Sequence, residues 1–264
     1  MIKNAFLLMI IAVVGMTACA NHSAAISDQV ISPRPYAPVA ITLLSDHRGE
    51  LPEYPVGADH ANYRAYVEAT PNEHYRIRVH NNSPQRVGVV IAVDGRNIIN
   101  GKPSWLRNDE RMYILEPYGR AEYDGWRTGA NQVNRFYFTD AGNAYAAAFG
   151  DYSAMGVIAA AVYAERPRVE SMDHISGGSR VPQAAARAES KAQTAPGTGY
   201  GETTYSPSQT VSFEPLPYPA QKVFLKYEWR SVLCAKRILT ECRNSEGSEN
   251  NRFWPGDNEY APRR

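Results

Sequence analysis

The sequence predicts a mainly β protein: an antiparallel β-sandwich or jelly-roll-like domain carrying a long low-complexity insertion. Three observations predict it. Residues 87–93, Val-Gly-Val-Val-Ile-Ala-Val, form a near-continuous apolar run rich in β-branched residues, as a strand buried on both faces requires. Asp94-Gly95 follows at once, and both residues of such a pair tolerate the positive φ of a two-residue hairpin turn. Around that hairpin, roughly eight or nine strand-like segments recur at short, regular spacing, the pattern of sandwiches and barrels.

From the N-terminus, Lys3 supplies a positive flank and residues 5–14 an apolar stretch, shorter than the roughly 20 residues of a spanning helix. Met16-Thr17-Ala18-Cys19 follows and resembles the lipobox of bacterial lipoproteins, with Met16 where that family usually has Leu. The resemblance implies a signal peptide over 1–18, cleavage before Cys19 and acylation of Cys19. Ala20 in place of Asp implies sorting to the outer membrane, with the side of the membrane left open. An ordinary secretory signal with an incidental cysteine is the alternative. More than one acyl chain gives stable anchoring, since each buried methylene contributes about 0.8 kcal/mol. Residues 19–38 are polar, contain Ser32-Pro33-Arg34-Pro35, and read as a tether.

Residues 39–166 are expected to form the β core. Residues 39–44 read as the first strand. Residues 46–60, with Gly49, Pro52, Pro55 and Gly57, read as loop. In Tyr63-Arg-Ala-Tyr-Val-Glu-Ala69, Tyr63, Ala65 and Val67 share a strand face. In His74-Tyr-Arg-Ile-Arg-Val-His80 the alternation is strict, placing Tyr75, Ile77 and Val79 inward and His74, Arg76, Arg78 and His80 outward. After the central strand, residues 97–99 read as a short return strand, Asn100-Gly101 as a second turn, and 102–111 as an irregular loop holding Trp105. Residues 112–115, 121–127 and 133–139 read as strands, and 143–149 as a short helix ended by Gly150. Residues 155–165 suit a buried strand, though their alanines leave helix open.

Residues 167–207 are rich in Ala, Ser, Gly, Thr and Pro and poor in large apolar residues, so they read as a flexible linker or insertion, with 183–193 transiently helical. Within it, Gly197-Thr-Gly-Tyr-Gly201 reads as a turn. Residues 208–264 form a C-terminal β segment, with strands at 211–214 and 222–230. It is too small for its own core and is expected to pack on the main domain, as is the aromatic stretch 251–255.

Cys19 apart, Cys234 and Cys242 remain, an even number in an oxidising compartment. A straight helix would hold them about 12 Å apart along its axis, so a disulfide requires a turn between them; two unpaired buried thiols are the alternative. A second resemblance, to a set of uncharacterised bacterial envelope β-domain proteins, rests on Val93-Asp94-Gly95, Tyr113-Ile-Leu-Glu-Pro-Tyr118, Gly125-Trp126-Arg127, Phe136-Tyr-Phe138, Gly156-Val157-Ile158 and Lys226-Tyr-Glu-Trp-Arg230. It covers about 63–165 and 211–254, implies the same domain outline and supplies no activity.

The formal charge of +1 argues against nucleic acid as a partner, since phosphate recognition shows as a basic excess. Seventeen Tyr and four Trp fit either β-rich packing or an aromatic binding surface. No metal site or cofactor is expected: the six histidines lack ligand spacing, and His74 and His80, on one strand face, would stand roughly 20 Å apart at about 3.3 Å per residue. No nucleophile elbow or phosphate loop occurs. Asp94 is read as a turn-former before an acid or base, and Asp109 and Glu110 as pointing to opposite faces. The stripe His74, Arg76, Arg78, His80 is the candidate face for an anionic ligand; a solvated face with neighbouring carboxylates is the alternative. Trp105, Trp126 and Tyr118 are candidates for a sugar platform or for packing. The expectation is a non-catalytic binding or structural module, anchored by lipid to the outer membrane and facing an envelope polymer or protein partner. An envelope hydrolase acting on a polysaccharide or peptidoglycan is the alternative.

Overall fold

Alternation of apolar and polar side chains decides most of the strands, and the long apolar runs decide which lie at the centre. The computed structural model describes residues 37–58, 62–167 and 195–242. The motif at 16–19 with Cys19, the segment 183–193 and the aromatic stretch 251–255 lie outside the described residues. In chain order the strands are β1 (Val39–Ser45), β2 (Gly49–Glu50), β3 (Glu53–Ala58), β4 (Asn62–Ala69), β5 (Tyr75–Asn81), β6 (Val87–Val93), β7 (Arg96–Asn97), β8 (Tyr113–Leu115), β9 (Arg120–Tyr123), β10 (Gly125–Gly129), β11 (Gln132–Arg135), β12 (Phe138–Asp140), β13 (Val157–Ala164), β14 (Pro196–Thr198), β15 (Thr203–Tyr205) and β16 (Gln221–Trp229). Helix α1 (Arg230–Ala235) follows β16.

The largest sheet runs β3-β4-β16-β13-β6-β7, with β8 also paired to β6, and a second runs β2-β1-β5-β9. Two small sheets, β10-β11-β15 and β12-β14, complete a mainly β, sandwich-like domain. Buried residues of both larger sheets form one cluster, with Ile41, Tyr75, Ile77 and Val79 from one and Val67, Ile91, Ile158 and Leu225 from the other. Every residue of β6 is buried. Its second face, with Val90 packed beside Ala161 and Tyr163, is covered by Leu106 and Met112 from the loop after β7. Double coverage explains why its sequence is apolar without alternation. β5 keeps the alternating pattern because only one of its faces is buried.

The structure differs from the expectations at several points. Residues 46–60 contain β2 and β3, where only loop is expected; β3 is an edge strand, which tolerates Pro55, and its pairing with β4 shifts register between Pro55 and Gly57. The stretches 121–127 and 133–139 each divide into two strands, because the chain leaves one sheet for another at Asp124 and again before Phe138. The return strand shrinks to Arg96–Asn97, and 143–149 holds 3-10 turns at Ala141–Asn143 and Ala146–Phe149, closed by Gly150 with φ 66°. No strand forms at 211–214; the chain there meets the sheet through the Arg166 amide on the Glu214 carbonyl at 2.7 Å and Arg86 over the Phe213 ring, and just beyond through an isolated bridge between Glu165 and Pro215. Most consequentially, 195–205 is not linker: β14 is fully buried and pairs with β12, and β15 pairs with β11.

β16 sits between β4 and β13, parallel to the first and antiparallel to the second. Beyond it, α1 and a left-handed Arg237 (φ 57°) turn the chain back, so that Cys234 and Cys242 are bonded with Cα atoms 5.5 Å apart. Among the described residues no helix is long and apolar enough to cross a membrane.

Candidate functional site

The Asp94-Gly95 turn positions everything around it. Both residues have positive φ, 49° and 80°, and Val93 pairs with Arg96 across them, the two-residue hairpin the dipeptide favours. The Asp94 side chain does more than shape the turn. It is fully buried, and Oδ1 accepts from the Gly156 amide at 2.8 Å and the Tyr227 hydroxyl at 2.6 Å, while Oδ2 accepts from the Thr198 amide at 2.7 Å. Thr198 Oγ1 lies 2.7 Å from both the Tyr75 and Tyr227 hydroxyls. One carboxylate thus joins β6, the approach to β13, β14 and β16, and reaches β5 of the other sheet through Thr198. Burial pushes its pKa up to about 6, against the pull of these donors. Burial likewise raises the phenols of Tyr75 and Tyr227 well above the ordinary value. Asp94, Tyr75, Thr198 and Tyr227 are all fully buried, so the knot ties strands together inside the core.

The same hairpin leads into a surface loop, residues 100–111, tied together by side-chain hydrogen bonds. Its organiser is Glu110. Oε1 accepts from the backbone amides of Trp105 at 2.8 Å and Arg107 at 3.0 Å, and Oε2 from the Ser104 hydroxyl at 2.6 Å and Asn97 Nδ2 at 3.3 Å. Leu106 takes φ 56°, and its carbonyl accepts from the Tyr163 hydroxyl at 2.5 Å. Asn97 Nδ2 donates to the Arg111 carbonyl at 2.8 Å, closing the loop's far end. Leu106 therefore plugs the outer face of the sheet while its neighbour Trp105 is driven into solvent, 67% exposed. Beside it lies an open groove of about 400 Å³, lined among others by Asn100, Lys102, Trp105, Arg107, Glu110 and Arg111. On its other flank Arg96 donates to the Gly101 carbonyl at 2.8 Å and stacks 3.8 Å over the Phe149 ring.

The stripe His74, Arg76, Arg78, His80 faces outward along β5, and it meets carboxylates there. Glu122 on β9 accepts from Arg76 at 2.8 Å and Arg78 at 2.9 Å. Asp46 stands 3.4 Å from Arg76, Glu50 3.7 Å from Arg78, and Glu202 3.7 Å from His74. This is the charge-balanced face the sequence leaves as the alternative, and an anionic ligand would have to displace these partners. Of the three aromatic candidates, Trp126 is buried and donates to the Gly199 carbonyl at 3.0 Å, and Tyr118 protrudes from the turn before β9. Trp105 is exposed and lines a groove. Among the described residues no group of His, Cys, Asp or Glu is placed to hold a metal ion.

Neither Glu110 nor the reach of Asp94 stands out in the sequence. Glu110 turns into its own loop, where an extended chain would have opposed it to Asp109. Thr198 sits in a Gly-rich run whose glycines are spacers: a Cβ on Gly197 would lie 2.5 Å from the Ala144 methyl, and one on Gly199 2.2 Å from the Tyr137 ring. No family model, curated protein or solved structure matches this chain.

Proposed function

We propose that this is a lipid-anchored protein of the bacterial envelope whose β domain is a non-catalytic binding module, and that the loop at residues 100–111 is its binding face. The anchor rests on Met16-Thr17-Ala18-Cys19 after a short apolar stretch, and outer-membrane sorting on Ala20. One observation carries the binding face: a tryptophan 67% exposed in a loop where Glu110 accepts two backbone amides, those of Trp105 and Arg107, together with the Ser104 hydroxyl. Exposing a large indole costs hydrophobic stabilisation, and fixing its backbone in advance removes ordering entropy from a later binding event. Rigid, exposed aromatics of this kind dominate binding energies elsewhere.

A hydrolase would need an acid or base facing its substrate. The carboxyl most raised by burial, Asp94, instead faces two amides and a phenol inside the core. Retention of full-length wild-type protein and of Trp105→Ala on an insoluble envelope-polymer fraction tests the proposal, with melting curves alongside. Lower retention by the variant at unchanged melting temperature supports the binding face; equal retention overturns it.

A further inference from the structure

We propose that the groove beside Trp105 takes a carboxylate-bearing oligosaccharide. This rests on the reading of the loop as a binding face and names the ligand class. Three features of the groove select it.

The first is the indole. One exposed Trp105 face gives a flat platform whose negative π-surface attracts the weakly positive C–H bonds on one side of a sugar ring. The second is the lining. Apart from Trp105 and Pro103 it is polar or charged, whereas a protein-binding patch has an apolar, charge-depleted centre. The apolar residue next in sequence, Leu106, is turned inward against Val90 and Tyr163 and adds nothing to the groove. A volume of about 400 Å³ lies in the range of small-ligand sites, ~300–1,000 Å³.

The third is charge. Lys102, Arg107 and Arg111 line the groove with Asp109 and Glu110. Both carboxylates are engaged: Asp109 takes Arg107 Nη2 at 3.3 Å, and the Glu110 oxygens hold the loop amides and Ser104. Lys102 and Arg111 are exposed and have no ion pair among the described residues, in contrast with Arg76 and Arg78 on β5. The groove therefore presents two unengaged cations beside a sugar platform. A guanidinium suits a planar carboxylate, and an ammonium accepts it as a point charge. Asn100 adds side-chain polarity at the rim for hydroxyls, although its own Oδ1 already accepts the Lys102 amide at 3.0 Å.

The test is calorimetric titration of detergent-solubilised, full-length protein with tetragalacturonate and with its neutral methyl-esterified counterpart. Phosphatidylglycerol vesicles form a third arm. Tetragalacturonate is expected to bind at least ~10-fold tighter than the neutral tetramer, with the preference shrinking as salt rises. Trp105→Ala is expected to weaken both tetramers by ~10-fold or more. Lys102→Ala with Arg111→Ala should weaken the acidic one alone, and both exposed substitutions should leave the melting curve in place. Equal affinity for the two tetramers would overturn the acidic ligand class while leaving the loop as a binding face. Vesicle binding lost in Trp105→Ala, with neither tetramer bound, would overturn the glycan and keep the face. Tetragalacturonate binding unchanged in Trp105→Ala would overturn the site itself.

Discussion

At the scale of single residues, two carboxylates do most of the organising, and they differ in what surrounds them. Glu73 is buried against Arg48; burial works to raise its pKa, but hydrogen bonds from Arg48, Ser45 and Thr70 hold it below the usual carboxylate range. No cation pairs with Asp94 among the described residues, so burial wins and its pKa rises to about 6. A carboxyl whose folded pKa exceeds its unfolded value near 3.8 contributes stability that is fully present below that value and lost as pH rises through about 6. At about 1.36 kcal/mol per pH unit, the loss across that window is on the order of 3 kcal/mol. Urea midpoints measured from about pH 4 to 7.5 should fall for the wild type up to about pH 6 and level off above it, and stay level in this term for Asp94→Asn. The variant should also be less stable throughout, by about 1–3 kcal/mol, because the amide NH₂ would point a donor at the Gly156 or Thr198 amide. A wild-type profile no steeper than the variant's would place the proton elsewhere.

At the scale of elements, legibility in the sequence follows contact range. β5 and β6 were readable because their own periodicity states how many faces they bury, and the Asp94-Gly95 turn because its dihedrals favour that pair. β14 was not: Pro-Gly-Thr carries no apolar signal, and its place depends on Asp94 and Phe138, far away in the chain. The parallel pairing of β16 with β4 likewise joins distant segments, and the Glu110 loop is built from side-chain to backbone bonds that leave no periodicity. Close backbone approach is another such feature. A Cβ at Gly125 would lie 2.2 Å from the Asn134 carbonyl oxygen in the partner strand β11. Gly125→Ala should therefore cost about 1–3 kcal/mol in thermal or urea unfolding, since backbone and not a movable side chain must yield. Closing the turn after α1, the Cys234–Cys242 bond is expected to contribute roughly 2.5 kcal/mol. Non-reducing peptide mapping should recover the two cysteines linked, and Cys234→Ala with Cys242→Ala should lower the urea midpoint; free alkylation of both thiols in native protein would contradict the bond.

At the scale of the molecule, both the sealed knot and the exposed loop grow from one hairpin. Asp94 draws the strands together beneath it, and Asn97 and Glu110 hold the loop rigid above it. The proposed anchor belongs to this scale too. If Cys19 carries lipid, Cys19→Ala should abolish acyl labelling and move the protein from the membrane to the soluble periplasmic fraction; unchanged membrane partition would contradict it. The most direct measurement is hydrogen–deuterium exchange of the full-length protein with and without an envelope glycan fraction that retains it. Added protection is expected in peptides covering residues 100–111, and it should vanish in Trp105→Ala. Protection confined to the paired-charge face of β5 and β9, or none at all while the protein is retained, would contradict a binding face built on Trp105.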